Sequence, residues 1–113
     1  MAFASGGKLA STVSAAGGLG MIGGAYGDTD WIEQQFREAG NQGVGCGLIT
    51  WALRDNPAAL ETVLAHAPKA VFLSFANPQP YVELIRQIDT ILICQIQTLR
   101  DARHAIDLSL IHI

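Results

Sequence analysis

Apolar residues alternate between two spacings along this chain. Segments with an apolar residue at every third or fourth position, typical of amphipathic helices, are followed by short runs that are apolar throughout. These runs are LGMIGG, VGCGLIT, AVFLSF and TILICQI, which begin at Leu19, Val44, Ala70 and Thr90. Strands that are apolar along their whole length are buried on both faces, as in a parallel sheet covered by helices. The pattern therefore predicts parallel strands joined by helices.

Helix-start signals recur once in each predicted strand–helix unit. Asp28 or Asp30 begins one helix, and Asn56 and Asn77 each precede a proline, which is favoured at the first helical position. Thr98 is followed three residues later by an aspartate. The predicted inner faces of the helices are Leu9, Val13 and Ala16; Trp31, Ile32, Gln35, Phe36 and Ala39; Leu60, Val63, Leu64 and Ala67; Tyr81, Leu84, Ile85 and Ile88; and Leu99, Ala102 and Ile106.

Three glycines, Gly18, Gly20 and Gly23, match the GxGxxG spacing of dinucleotide-binding loops. Such a loop follows a strand and opens a helix, because the pyrophosphate binds at the helix N-terminus. Here a helix predicted over 8–16 precedes the glycines, and a strand contains them. The aspartate expected about 20 residues later, which would bind a ribose, is also missing. We therefore interpret the glycines as a helix C-cap and a strand that a flat ligand or a neighbouring backbone approaches closely.

Repeated strand–helix units fit a (β/α)8 barrel or an open doubly wound sheet, and the pattern modestly favours the barrel. In both folds ligands bind at the carboxyl ends of the strands. Candidate site residues there are Gly23, Gly24, Tyr26, Thr50, Trp51, Ser74, Phe75, Gln95, Gln97 and Thr98. Of these, we interpret Thr98 as a helix cap.

Composition and charge narrow the functional classes. The chain has 113 residues, half of them hydrophobic, and a net charge of −3. It is too apolar for disorder and lacks the basic balance of a nucleic-acid-binding protein. No apolar run approaches the ~20 residues of a membrane span. We expect a soluble, cytosolic chain of one domain at most, which acts on a small molecule.

Two cysteines, Cys46 and Cys94, lie in apolar strand-like runs and have no CxxC partner. We predict that they are buried free thiols of a reducing compartment, and a disulfide between them is the alternative. Neither they nor the other residue types form a metal-binding motif, so no metal site is predicted.

Several stretches resemble the nitronate monooxygenases, formerly called 2-nitropropane dioxygenases. They read MAFASGGKLASTVSAAGGLGMIGGAYGD, GVGCGLITWAL, AVFLSF and ILICQIQTLRDAR, and the resemblance runs from Met1 to about Asp107. The resemblance implies an FMN-dependent flavoprotein with a TIM-barrel fold. Flavin enoyl-acyl-carrier reductases are close relatives of that family and share its fold.

The resemblance also implies positions for the cofactor. Met1 and Ala2 correspond to the end of the family's Ala-Pro-Met motif, whose backbone lies against the flavin. Gly47 stands where many members carry an asparagine that contacts FMN, and Gln95 corresponds to a polar strand-end contact near the flavin. This sequence departs from the family at Gly47, which weakens the transfer of that contact.

No residue of this chain corresponds to the family's catalytic histidine, which follows the sixth barrel strand. We interpret the three histidines, His66, His104 and His112, as structural or surface residues. The glycine-rich loops that hold the FMN phosphate in the family also come later than the residues present here.

The predicted fold is therefore α/β, a partial TIM barrel from helix 1 to helix 5 with strands 2 to 5. A complete barrel needs about 250 residues. We expect residues 1–107 to be a fragment of a flavin-binding barrel. Residues 108–113, LSLIHI, match the translation of a transposon end used as a sequencing adapter, and we expect a non-native tail. A natural truncated tail is the alternative.

The function implied by the resemblance is that of a nitronate monooxygenase. The parent protein would oxidise alkyl nitronates with oxygen to carbonyl compounds and nitrite. Three alternatives stay open: a flavin enoyl-acyl-carrier reductase, an inactive half-barrel fragment, and an open doubly wound nucleotide-binding module. The oligomeric state is not predicted.

Overall fold

The computed structural model describes residues 3–108, which form an α/β fold. Its elements are α1 (Gly7–Ala15), β1 (Met21–Ala25), α2 (Thr29–Ala39), β2 (Gly45–Ile49), α3 (Thr50–Leu53), α4 (Ala58–Ala65), β3 (Ala70–Ser74), α5 (Gln79–Arg86), β4 (Ile91–Cys94) and α6 (Leu99–Asp107). No helix within this part of the chain is long and apolar enough to cross a membrane.

The four strands form one parallel sheet in the order β1-β2-β3-β4. Each strand lies beside the strand that precedes it in sequence, so the order never reverses. Since parallel crossovers are right-handed, a sheet that grows in one direction carries its connecting helices on one face. A doubly wound sheet has a point where the strand order reverses and helices on both faces. The topology is therefore that of an arc of a barrel.

The main core fills the space between the sheet and these helices. Ile22, Cys46 and Val71 lie in register across three strands, and all three are buried in this core. They pack with α2 and α4, which contribute Ile32, Phe36, Leu60 and Val63 in the same cluster. Alternate residues of each strand therefore point towards the helices and leave the other residues on the opposite face of the sheet.

Helix α1 approaches the rest of the fold through small residues. Its buried positions are Gly7 and Ala10, whereas Leu9 and Val13, which we predicted to face the core, are exposed. The Gly7 N–H donates a 2.9 Å hydrogen bond to Oε1 of Gln35 on α2, which explains why that polar residue is buried. The predicted inner face of α1 is wrong, because close helix packing uses the face without large side chains.

The last two helices also depart from the prediction. On α5 the buried residues are Val82 and Ile85, while Leu84 is 37% exposed. On α6 only Ala105 is buried among the described residues, and Leu99 and Ile106 are exposed. The predicted face of α5 is confirmed in part, since Ile85 lies in the main core and Tyr81 packs against it. Val82, which was not predicted, forms a second, smaller cluster with Ala105 beside β4. The remaining predicted faces agree better, with Ile32, Gln35, Phe36, Ala39, Leu60 and Val63 all buried.

Several caps form as predicted. Asp28 accepts a 3.0 Å hydrogen bond from the Trp31 N–H at the start of α2, and Gly40 ends that helix with φ at 65°. The predicted cap at Asn56 is wrong. Pro57 itself precedes α4, and the Asn56 Nδ2 instead donates a 2.6 Å hydrogen bond to the Gly27 carbonyl. Asn56 thus braces the loop between β1 and α2.

The second asparagine–proline pair behaves similarly. Pro78, not Asn77, directly precedes α5, although Asn77 Oδ1 accepts a 3.0 Å hydrogen bond from the N–H of Gln79, the first residue of the helix. The asparagine therefore stabilises the start of α5 from one residue further out than predicted.

The two edges of the sheet differ. At the β1 edge, the Phe3 N–H donates to the Gly23 carbonyl (3.3 Å) and the Gly23 N–H donates to the Ser5 carbonyl (2.8 Å). Residues 3–5 therefore lie beside β1 and pair with its outer side. At the opposite edge β4 is the least buried strand, and Ile91 is exposed.

Candidate active site at the carboxyl edge of the sheet

A cavity of about 350 Å³ lies on the sheet face that the helices do not cover. Its floor is a row in register across β1, β2 and β3, formed by Gly23, Gly47 and Phe72. Because Gly23 and Gly47 are neighbours on β1 and β2, this part of the floor has no side chains. The remaining lining residues are Ala25, Leu48, Ile49, Ser74, Phe75 and Gln95.

Among residues 3–108, no ionisable side chain lines this cavity. Its polar side chains are Ser74, whose Oγ donates to the Leu48 carbonyl at 3.3 Å, and Gln95. The Gln95 backbone N–H continues the sheet with a 2.9 Å bond to the Leu73 carbonyl, and its side chain is exposed at the rim. The arrangement suits a flat, mostly apolar group that meets one amide at its edge. It offers no general acid or base.

A larger cavity of about 530 Å³ adjoins the first and shares Phe75 and Gln95 with it. It lies between the loop after β3 and the start of α6, and His104 lines it. The His104 Nε2 lies 2.8 Å from Oδ1 of Asn77, so the imidazole ties α6 to that loop. The sequence predicted a surface or structural histidine, and this contact shows the structural role.

The backbone is strained at the carboxyl ends of two strands. Ala25, Phe75 and Ala76 have φ values of 50°, 59° and 89°, a left-handed region that residues with a Cβ rarely adopt. Phe75 lines both cavities. Strain of this kind persists where the surrounding structure imposes it and clusters at functional sites. None of these three positions is a glycine, so the strain could not be predicted from the residue types.

The cofactor-binding residues implied by the resemblance divide between the cavity and the residues that the structure does not describe. Gly47 and Gln95 line the same cavity, whereas Met1 and Ala2 lie outside the described residues. The prediction that Thr50 is a site residue is wrong. It is only 2% exposed, and its hydroxyl has no hydrogen-bond partner within residues 3–108. The strand ends one residue earlier than predicted, and Thr50 begins α3 with its side chain buried.

Thr98 caps α6 as predicted, through a reciprocal pair of hydrogen bonds. The Asp101 N–H donates to Thr98 Oγ1 and the Thr98 N–H donates to Asp101 Oδ2, both at 3.1 Å. The Thr98 side chain lowers the pKa of Asp101, and backbone N–H groups of Gln97 and Thr98 add to the effect. Stabilisation from this carboxylate is therefore present above its unfolded pKa and is lost as the pH falls through the folded pKa.

Replacing Thr98 by alanine should raise the pKa of Asp101 towards its ordinary value, because the largest cause of the shift is removed. The lost cap should lower the free energy of unfolding by about 1 kcal/mol. An NMR titration of the Asp101 carboxyl measures the first effect, and chemical denaturation measures the second. Thr98→Ser keeps the hydroxyl and should leave both values nearly unchanged. Equal shifts in the two variants would contradict the capping role.

Both cysteines are free thiols, as predicted. Cys46 is buried against the helices and Cys94 is half-buried. Burial raises the pKa of Cys46 to about 12 and that of Cys94 to about 11. Neither thiol is therefore a nucleophilic thiolate at neutral pH.

The raised pKa values predict a loss of stability in alkali. A thiol that stays protonated when folded but ionises near pH 9 when unfolded stabilises the fold fully below that pH. This contribution should disappear as the pH rises from about 9 to about 12. Denaturation midpoints measured across this range check it, and Cys46→Ala should flatten the decline. An unchanged alkaline decline in that variant would contradict the assignment.

His66, the other histidine that the structure describes, lies at the amino ends of the strands, whereas the two cavities lie at the carboxyl ends. His66 stacks on Phe36 with ring centroids 4.5 Å apart, beside the amino end of β2. His112 lies outside the described residues. Within residues 3–108, no three His, Cys, Asp or Glu side chains come together as metal ligands do.

Comparison with known proteins addresses the fold. No family model matches the chain, and no curated protein matches it significantly. Among solved structures, FabK from Thermotoga maritima is similar, with a TM-score of 0.82 and 24% sequence identity. The similar region covers 96% of this chain and 35% of the FabK chain. The chain has the fold of part of a TIM barrel. The predicted fold class is confirmed, and the open doubly wound sheet is excluded by the strand order.

Proposed function

We propose that the whole protein is an FMN-dependent oxidoreductase of the nitropropane dioxygenase superfamily. The observation that carries this proposal is the uncharged cavity with a glycine floor, which contains both Gly47 and Gln95. The barrel fold shared with FabK and the sequence resemblance support the same assignment.

The residues of the cavity fit the ring system of a flavin. Gly23 and Gly47 would let the flat ring lie close to the sheet, and Phe72 would provide apolar contact beside them. The Gln95 amide both donates and accepts hydrogen bonds, as the polar edge of a flavin requires. Because Gly47 replaces the family's asparagine, binding at this strand would rely on close packing. FMN, when bound, supplies the electron transfer.

The first candidate reaction is the oxidation of alkyl nitronates by oxygen to carbonyl compounds and nitrite. The flavin enoyl-acyl-carrier reductase is the second, and the similarity to FabK supports it as much as the first. The described lining of the smaller cavity contains no base. The larger cavity contains His104, whose ring is engaged by Asn77, and Asp101, whose carboxylate caps α6. The proton transfer is therefore assigned to no residue of this chain.

An assay of the whole protein separates the two reactions. Oxygen uptake with an alkyl nitronate is expected for the first, and NAD(P)H oxidation with an enoyl thioester for the second. A purified whole protein without bound flavin, and without either activity after FMN is added, would overturn the proposal. We also propose that the protein is cytosolic, because free cysteines such as Cys46 and Cys94 are typical of a reducing compartment.

The isolated chain is a separate case. We propose that residues 1–113 alone neither turn over substrate nor hold FMN, because the catalytic histidine and phosphate loops implied by the resemblance have no counterpart in them. Expressing this chain and measuring bound flavin checks the statement. Stoichiometric FMN on a soluble monomer would contradict it.

A further inference from the structure

Two aromatic side chains stand together at the carboxyl edge of the sheet, outside both cavities. Tyr26 directly follows β1, and Trp51 is the second residue of α3, directly after β2. Their ring centroids are 5.7 Å apart, with the ring planes tilted by 53°. Tyr26 is 54% exposed and Trp51 is 49% exposed. We call this pair the aromatic rim.

The backbone beneath Tyr26 is held in a fixed conformation. Ala25 and Gly27, on either side of it, have φ values of 50° and 91°. The Gly27 carbonyl accepts the 2.6 Å hydrogen bond from Asn56, and a Cβ on Gly27 would lie 2.5 Å from the Ala59 Cβ. The loop is thus locked against α4 while the phenol ring remains half exposed.

Trp51 is supported in a comparable way. Its neighbours Thr50, Ala52 and Leu53 are buried, so α3 is anchored on both sides of the indole. Burial of an aromatic ring is its main contribution to stability. Two rings that are held in place but left half in solvent contribute little of this, so their exposed apolar surface can contact a ligand.

The position of the rim identifies what it contacts. Ala25, next to Tyr26, and Ile49, two residues before Trp51, both line the cavity with the glycine floor. The rim therefore continues an uncharged lining outward from the cavity. Two carboxylates near it in sequence are engaged elsewhere, since Asp28 caps α2 and Asp55 lies 3.6 Å from the Arg54 Nε. An uncharged, apolar part of a ligand fits this surface better than a cation.

We propose that Tyr26 and Trp51 bind the hydrocarbon chain of the substrate and set a preference for long chains. This inference rests on the proposed function, in which the reacting group lies over the glycine floor. A chain attached to that group leaves the cavity past Ala25 and Ile49 and meets the two rings. Each methylene that the rings remove from water should tighten binding about threefold to fourfold.

The test uses the whole protein and a series of primary alkyl nitronates from ethyl to hexyl. In the wild type, kcat/KM should rise about threefold per methylene over part of the series. Trp51→Ala should abolish most of this rise while the ethyl nitronate value changes less than about threefold, and Trp51→Phe should restore the rise. Trp31→Ala, which removes the other tryptophan of the chain from α2, is the matched control and should keep the wild-type slope.

A second readout separates failure of this inference from failure of the proposed function. Straight-chain alcohols from butanol to octanol are titrated, and the fluorescence difference between wild type and Trp51→Phe isolates Trp51. Chain-length-dependent quenching without nitronate turnover supports the rim and overturns the nitronate reaction. Turnover that is independent of chain length in the wild type overturns the rim alone. A uniform loss of kcat/KM in Trp51→Ala, with the slope unchanged, also overturns it, because the indole would then only position the loop.

Discussion

Replacing Gly20 by alanine is expected to lower the free energy of unfolding by about 3 kcal/mol, the upper part of the usual range for an overpacked core. A Cβ at this position would lie 1.8 Å from the backbone oxygen of Ala10 and 2.5 Å from its carbonyl carbon. Backbone atoms of α1 cannot rotate away as a side chain can. The whole helix would have to move, and the 3.0 Å hydrogen bond from the Gly20 N–H to Ser14 Oγ would be strained.

Gly18→Ala is the matched control, since it belongs to the same GxGxxG spacing. Its Cβ would first meet the Val13 Cγ1 at 3.0 Å, the end of an exposed side chain. We expect a loss below about 1 kcal/mol. Chemical denaturation of the whole protein measures both variants. Equal losses would contradict the view that Gly20 serves the close contact between α1 and β1, and that the glycine spacing is a packing feature.

The order of the elements could be predicted because it depends on local signals. Apolar runs identified all four strands, and Asp28, Gly40 and Thr98 marked helix ends through their own side chains or backbone conformation. The buried faces of α1 and α6 could not be predicted, and that of α5 could be predicted only in part, through Tyr81 and Ile85. Spacing shows where large apolar residues lie, but the contact between helices is decided by which face lets backbones approach, as Ala10 shows on α1.

The candidate site was predictable in part. The rule that ligands bind at the carboxyl edge of parallel strands led to Ser74 and Gln95, and the resemblance added Gly47, all three of which line one cavity. The error at Thr50 has a physical cause. Thr50 comes two residues after Leu48 and four after Cys46, so the alternation of the strand places it on the helix side of the sheet, where it is buried. The strained φ of Phe75 has no local signature at all.

Under the proposed function, replacing Gly47 by phenylalanine is expected to reduce the flavin content of the whole protein by about tenfold or more. Gly47 is buried in the middle of β2, in register with Gly23 and Phe72, and lies in the floor of the 350 Å³ cavity. A phenyl ring at this position would extend into the space that the flat ring would occupy, whereas a short polar side chain would leave most of that space open. A ring from the protein would take the place of the ring of the cofactor, because both cannot pack on the same strands. The ratio of flavin absorbance to protein after purification measures the effect.

Two controls make the result specific to the floor of the cavity. Gln42→Phe adds the same side chain at an exposed position just before the amino end of β2, away from the cavity, and should leave the flavin content unchanged. Gly47→Asn introduces the residue that the family resemblance places there, and its amide offers hydrogen bonds in place of bulk, so it should retain flavin. Circular dichroism shows whether each variant is folded. A folded Gly47→Phe protein with full flavin content would show that the cofactor lies elsewhere and would contradict the assignment of the flavin ring to this cavity.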